Sequence, residues 1–177
     1  EIKKDIYGNF WIGTEDAGLN KYNLSTGRFT HYEATGKPGS LSFFNLHGLE
    51  VSRNEVWIGT FEHGLDVMDI HTGKVIKHFQ VGAGSVLASN FIYCINAIDH
   101  ENILIGTTIG IYRYDRKNDR LKRMEGFPEL DWYTGIVKDD KGIIWATTFG
   151  RGVHFYNPAT GKRGTLLHNE NDPNSLS

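Results

Sequence analysis

Seven residues on short loops carry the most suggestive chemistry in this chain. Phe61, Glu62 and His63 are consecutive, Trp132 and Tyr133 are adjacent, and Phe149 and Arg151 flank a glycine. Together they mix aromatic faces with hydrogen-bonding ends. Rings of this kind stack on the apolar faces of sugars, and charged groups bond sugar hydroxyls. An arginine can also read a carboxylate or sulfate through its planar fork. Asp16, in the loop 15–17, is an eighth candidate. Bond-making chemistry has less support, and no catalytic residue is nominated. The eight histidines are scattered without HExxH or paired ligand spacing, so neither a metal nor a cofactor is expected. "GAGSVL" at 82–87 begins like a dinucleotide loop but lacks the third glycine and a helical continuation. The one cysteine, Cys94, sits in the apolar stretch "NFIYCINAI" and reads as a buried, inert thiol. His31, His78 and His168 fall on polar segments and are expected to be solvated.

The candidate loops recur at matched places because the chain repeats itself. Trp11, Trp57, Leu104 and Trp145 mark four copies of one phrase: "FWIGT", "VWIGT", "ILIGT" and "IWATT". A polar turn precedes each phrase. A two- to four-residue loop follows it and leads to Gly18, Gly64, Gly110 or Gly152. Another apolar run ends at Asn23, Asp69, Asp115 or Asn157, each opening a turn, and a more polar run closes the copy. A further apolar run precedes the polar turn, as in "NLHGLEV" and "FIYCINAI". These runs are short, rich in β-branched and aromatic residues, and bounded by Gly, Asn and Asp, which is strand and hairpin chemistry. No sustained 3.6-residue period is present. The expected fold is therefore all-β: a β-propeller of about four blades, each a four-stranded antiparallel meander. The blades are placed at about residues 1–33, 43–80, 91–125 and 131–168, with 169–177 leading into a further blade. Trp11, Trp57 and Trp145, at one blade position, are expected to be core packing residues.

A formal net charge of −2, with no Lys/Arg run longer than two, argues against nucleic acid and against direct membrane contact. No window of about 18 apolar residues is available for a spanning helix. The chain starts inside an innermost strand and stops where a fifth should begin. The expectation is an excerpt of a larger ring whose exposed end blades self-associate or meet neighbouring propeller blades.

"GNFWIGTEDAGLNKYNLSTGRFTHY", "NEVWIGTFEHGLDVMDIHTGKVIKHF" and "KGIIWATTFGRGVHFYNPATGK", with the linker "NDPNSLS", resemble the two-component regulator propeller repeat. The third copy departs from the pattern, with Leu104 in place of tryptophan and a loop one residue shorter. The resemblance covers essentially the whole chain. It implies a seven-bladed propeller in the periplasmic sensor region of a hybrid two-component histidine kinase of Bacteroidetes, responding to oligosaccharides. Kinase and DNA-binding parts would lie outside these residues, so this fragment is not expected to be an enzyme. Two other readings stay open. A propeller-built glycan lyase or hydrolase would need paired acid and base groups at the channel mouth. A protein–protein interaction propeller would need a broad apolar patch on the loop face. The sensor reading places ligand contacts on the variable loops, at Asp16, Phe61, Glu62, His63, Trp132, Tyr133, Phe149 and Arg151.

Overall fold

The computed structural model describes residues 1–176; Ser177, the last residue of the segment 169–177, lies outside the described residues. Among these, sixteen strands make four antiparallel sheets, and none of the described residues is helical. Blade 1 is β1 (Ile2–Lys4), β2 (Phe10–Gly13), β3 (Leu19–Asn23) and β4 (Arg28–Tyr32). Blade 2 is β5 (Leu46–Ser52), β6 (Glu55–Thr60), β7 (Leu65–Asp69) and β8 (Lys74–Phe79). Blade 3 is β9 (Ile92–Ala97), β10 (Asn102–Thr107), β11 (Ile111–Asp115) and β12 (Arg120–Arg123). Blade 4 is β13 (Tyr133–Lys138), β14 (Ile144–Thr148), β15 (Val153–Tyr156) and β16 (Arg163–Leu166). Strands pair in chain order within every sheet, the up-and-down meander of a propeller blade.

Local side-chain chemistry spells each turn. Where β3, β7, β11 and β15 end, Asn23, Asp69, Asp115 and Asn157 accept the backbone N–H three residues on, at 3.0, 2.7, 3.2 and 3.3 Å. The residue closing this turn has positive φ, namely Gly27, Gly73 and Gly161 at 67°, 64° and 72°. The third copy puts Asp119 there at 47°, which an aspartate tolerates better than most side chains. At the other end of the blades, Thr14, Thr60, Thr107 and Thr148 donate their hydroxyls to the carbonyls of Gly18, Gly64, Gly110 and Gly152 at 2.8–2.9 Å. Each of these hydroxyls also accepts an N–H from within the loop it spans: Ala17, His63, Ile109 and Arg151. The threonine that ends each "IGT" or "ATT" therefore fixes the loop that carries Asp16, Phe61, Glu62, His63, Phe149 and Arg151.

The core lies between blades. Trp11 and Leu19 pack on Leu49, Val56, Ile58 and Met68; Trp57, Leu65 and Val67 pack on Ile103, Ile105 and Tyr112; Leu104 and Ile111 pack on Tyr133 and Ile144. The Trp11 indole donates to Asp5 and the Trp145 indole to Asp139, both at 2.9 Å, across the same six-residue spacing. Burial pushes the Asp5 carboxyl up, but hydrogen bonds from Asn9, Trp11 and the Tyr7 and Asn9 backbone outweigh it and hold it below the usual range. Cys94 is buried, and burial pushes its thiol up to about 12. His78 is not simply solvated. Its Nδ1 lies 2.7 Å from the fully buried Asp66, because β7 and β8 set the two residues opposite each other. The end faces differ from the junctions. Leu24 and Phe29 on blade 1, and Leu167 on blade 4, are more than half exposed where Ile70, Val75 and Phe79 pack in blade 2.

Candidate functional site

On the loop end of the blades, aromatic rings form one continuous band across three blades. Phe149 lies 4.9 Å from Trp132, Trp132 4.8 Å from Tyr93, Tyr93 5.0 Å from His47, and His47 5.3 Å from Phe61. Phe91 meets Phe61 edge-on at 5.0 Å. Beside this band, His63 stacks on Phe43 at 4.1 Å with the planes 12° apart, and Phe43 contacts Phe44. Most of these rings are half-buried, and Phe149 is 70% exposed.

Irregular strand pairing aims the centre of the band. The pairing of β5 with β6 slips between Leu46 and Gly48, leaving His47 as an extra residue. β9 does the same at Tyr93 and β13 at Thr134. A β-bulge re-aims a side chain, and here it does so in three of the four inner strands, β5, β9 and β13, at the same repeat position. Glu1 of blade 1 falls one place further along, where Gly48 and Gly135 stand; burial raises its carboxyl, partly offset by the Leu49 N–H that donates to it at 2.9 Å. Reading the variable loops alone does not reach His47, Tyr93 or Phe91. The usable signal is the inner-strand position that reads His47, Tyr93 and Thr134, a changing residue within an otherwise apolar run.

Of the eight residues expected from the sequence, Phe61, Trp132 and Phe149 lie in the band and His63 beside it. Glu62 is exposed at the loop tip with φ at 75° and, among the described residues, no ion pair. Arg151 Nε lies 3.1 Å from Asp131 Oδ1, while its side chain stays 70% exposed. Asp131 is itself buried against His154 Nε2 at 2.7 Å, and His154 Nδ1 reaches Thr165 at 2.7 Å. Asp16 stands apart on blade 1, beside a shallow depression with Asn20, His31 and Glu33. Tyr133 leaves the set. It is fully buried, donates its hydroxyl to the Pro128 carbonyl at 2.8 Å and packs in the junction of blades 3 and 4. Trp132 precedes β13 and lies in the band, whereas Tyr133 opens the strand on its buried side, so the two neighbours do not share one surface.

Two buried polar atoms near the band lack partners among the described residues: the Trp132 indole N–H and Asn45 Oδ1. Asn45 is held at this edge by its carbonyl, which accepts the Phe61 N–H at 3.0 Å. Groups of this kind are satisfied in nearly all native structures, so they offer hydrogen bonds to a bound polar molecule. No three His, Cys, Asp or Glu side chains gather as metal ligands among the described residues.

No protein-family model and no curated protein sequence matches the chain. Solved structures do. The extracellular domain of a protein described as a hybrid two component system, BT3049 of B. thetaiotaomicron, superposes with a TM-score of 0.77 at 23% identity. The match spans 95% of this chain and 24% of that one. The corresponding domain of BT4673 from the same organism gives 0.73 at 22% identity over 95% and 24%. PorZ, a surface component of the type-IX secretion system of Porphyromonas gingivalis, gives 0.69 at 16% identity over 97% and 27%. The chain thus spans about a quarter of the length of these proteins, and the likeness shows the propeller fold.

Proposed function

We propose that these blades belong to the ligand-reading, extracytoplasmic propeller of a hybrid two-component sensor, and that an oligosaccharide lies along the aromatic band. The observation that carries this reading is the unbroken run Phe149–Trp132–Tyr93–His47–Phe61, flanked by an exposed arginine and by buried polar atoms without partners. Ring faces take the apolar faces of successive sugars, and the indole N–H and amide oxygen take hydroxyls. The likeness to extracellular domains of two-component systems supports the sensor role and the periplasmic placement. Such a ligand signals by favouring one arrangement of the receptor over another, and an interface between propellers or subunits is the natural bistable element.

The test is calorimetric titration of the purified protein with a panel of neutral and acidic oligosaccharides. Trp132→Ala and Phe149→Ala should each weaken the best ligand by about 1.5 kcal/mol, roughly tenfold in Kd. His63→Ala and Arg151→Ala should weaken it less, since both lie at the edge. A panel member that binds equally well to all four variants removes the band as its site.

The end faces are proposed to receive further propeller blades. Phe10, Ile12 and Tyr22 occupy on blade 1 the places that Val56, Ile58 and Met68 fill, fully buried, on blade 2. Trp145, Val153 and Phe155 on blade 4 match Trp57, Leu65 and Val67 in the same way. Light scattering that finds this chain strictly monomeric at high concentration would count against self-association through these faces.

A further inference from the structure

The outer groove between blades 2 and 3 is filled. Arg116 reaches back from the β11–β12 turn to Glu55 Oε2, with Nε at 3.1 Å and Nη2 at 2.9 Å, and to Ser52 Oγ at 3.1 Å. Its guanidinium lies 5.8 Å from the Trp57 ring centroid, and the Trp57 indole donates to the same Glu55 oxygen at 3.0 Å. One repeat further on, all three members change together: Leu104 stands where Trp57 does, Asn102 where Glu55 does, and Pro158 where Arg116 does. Among the described residues no ion pair crosses the junction of blades 3 and 4 at that place. A cleft of about 530 Å³ opens there instead, beside Asp99, Asn102 and Pro158.

Its floor is apolar, with Ile98, Met124, Ile144 and Tyr156. Its walls carry Arg113 and Lys122 from blade 3 and Lys138 and Lys141 from blade 4. None of these four cations forms an ion pair among the described residues. Arg113 and Lys122 face each other directly across β11 and β12. Like charges in that register repel and weaken a sheet. The matching pairs in the other blades are Lys21 with Thr30, Val67 with Lys77, and Phe155 with Gly164, so only the third copy sets two cations together. Two carboxylates, Asp99 and Glu125, border the cleft, and Asp99 is already engaged by the backbone of Glu101 and Asn102 and by the Asn102 amide. A chain with net charge −2 has here concentrated positive charge around an apolar floor.

We propose that this cleft binds a small polyanion: an organic molecule bearing two or more sulfate, phosphate or carboxylate groups. Its charged groups bridge the Arg113–Lys122 pair on one blade and Lys138 and Lys141 on the next, with its body over Ile144 and Tyr156. The cleft lies by the β9–β10, β13–β14 and β15–β16 turns, at the opposite end of the strands from the aromatic band. The inference is independent of the oligosaccharide reading.

The test is calorimetric titration at low ionic strength with inositol hexakisphosphate, sucrose octasulfate and citrate, each against its uncharged counterpart where one exists (myo-inositol, sucrose). The three arms distinguish phosphate, sulfate and carboxylate. At least one polyanion should bind saturably at one site, and added salt should weaken it. Arg113→Gln with Lys138→Gln should weaken binding at least about tenfold, since charge-assisted hydrogen bonds to an anion are roughly twice as strong as neutral ones. Arg28→Gln with Lys37→Gln removes the same charge from blade 1 and the loop after it and should leave binding unchanged. Asn102→Glu with Pro158→Arg restores the ion pair of the preceding junction and should abolish binding by filling the cleft. Melting curves of all variants establish that they are folded. No saturable binding by any polyanion, equal weakening in the blade 1 control, or full binding by the variant with the restored ion pair overturns the proposal.

Discussion

Replacing Gly59 by alanine tests how the blades are held together. A Cβ built at Gly59 would lie 2.7 Å from Ile92 Cγ2 and 2.8 Å from the Ile92 carbonyl oxygen, in the next blade. Carbon atoms need about 3.5 Å, so one contact is short by most of an ångström. The side-chain methyl can rotate away, but the carbonyl cannot without parting β9 from β6. Overpacking of this kind costs about 1–3 kcal/mol, and the backbone contact places Gly59→Ala near the upper end. The matching glycine in blade 1, Gly13, has 3.5 Å to its nearest neighbour, Leu46 Cβ, an ordinary contact. Neither glycine has positive φ, so alanine suits both backbones and restricts the unfolded chain, a gain of about 0.4–1 kcal/mol. Gly59→Ala should therefore lose about 2 kcal/mol and Gly13→Ala should gain up to about 1. For a chain of this size the two melting midpoints should differ by roughly 6–12 °C. Urea titration followed by tryptophan fluorescence measures the same gap. Equal stability of the two variants would refute the close-approach argument. The chain itself carries Thr147 at this position in blade 4, the blade with no following neighbour among the described residues.

Three side chains with defined partners give further expectations. Asp5→Ala strands the Trp11 indole and the Asn9 amide without their acceptor and should cost about 3 kcal/mol in urea unfolding, whereas a change under about 0.5 would show that water replaces the carboxylate. The hydrogen bond to Asp66 raises the His78 imidazole above its ordinary value of about 6.5, and burial opposes this only in part. Its stabilising share is therefore fully present below the unfolded value and is lost as pH rises through the higher folded one. His78→Gln should flatten stability against pH in that window, and an NMR titration of His78 at or below the ordinary value would sink the assignment. The Cys94 thiol, pushed up to about 12, should resist a disulfide reagent at neutral pH until urea unfolds the chain. Stoichiometric labelling of the native protein would contradict its burial.

The expected ligand residues show which placements can be read from the loops and which cannot. Phe61, Trp132 and Phe149 are legible because they interrupt a repeat: a large ring in a short variable loop has no packing partner dictated by the pattern. Tyr133 is misread because adjacency in sequence says nothing about which face of β13 a residue takes, and the bulge at Thr134 sits next to it. His47 and Tyr93 are invisible as members of the aromatic band for the same reason: each lies in an apolar inner strand, and its place as the unpaired residue of a bulge turns it toward the band.

The blades themselves are written locally in the chain. Strand length, the Asn/Asp turn openers, the threonine that ties each loop and the "D-x5-W" pairing of Asp5 with Trp11 and Asp139 with Trp145 are local interactions, made within a dozen residues of one another. What surrounds the junctions exists only in the assembled fold. The aromatic band joins Phe61, His47, Tyr93, Trp132 and Phe149 across three blades. The cationic cleft joins Arg113 to Lys138 across two. Neither has a local signature, because each depends on the angle at which one sheet meets the next and on which residues a bulge or a missing ion pair leaves facing open space.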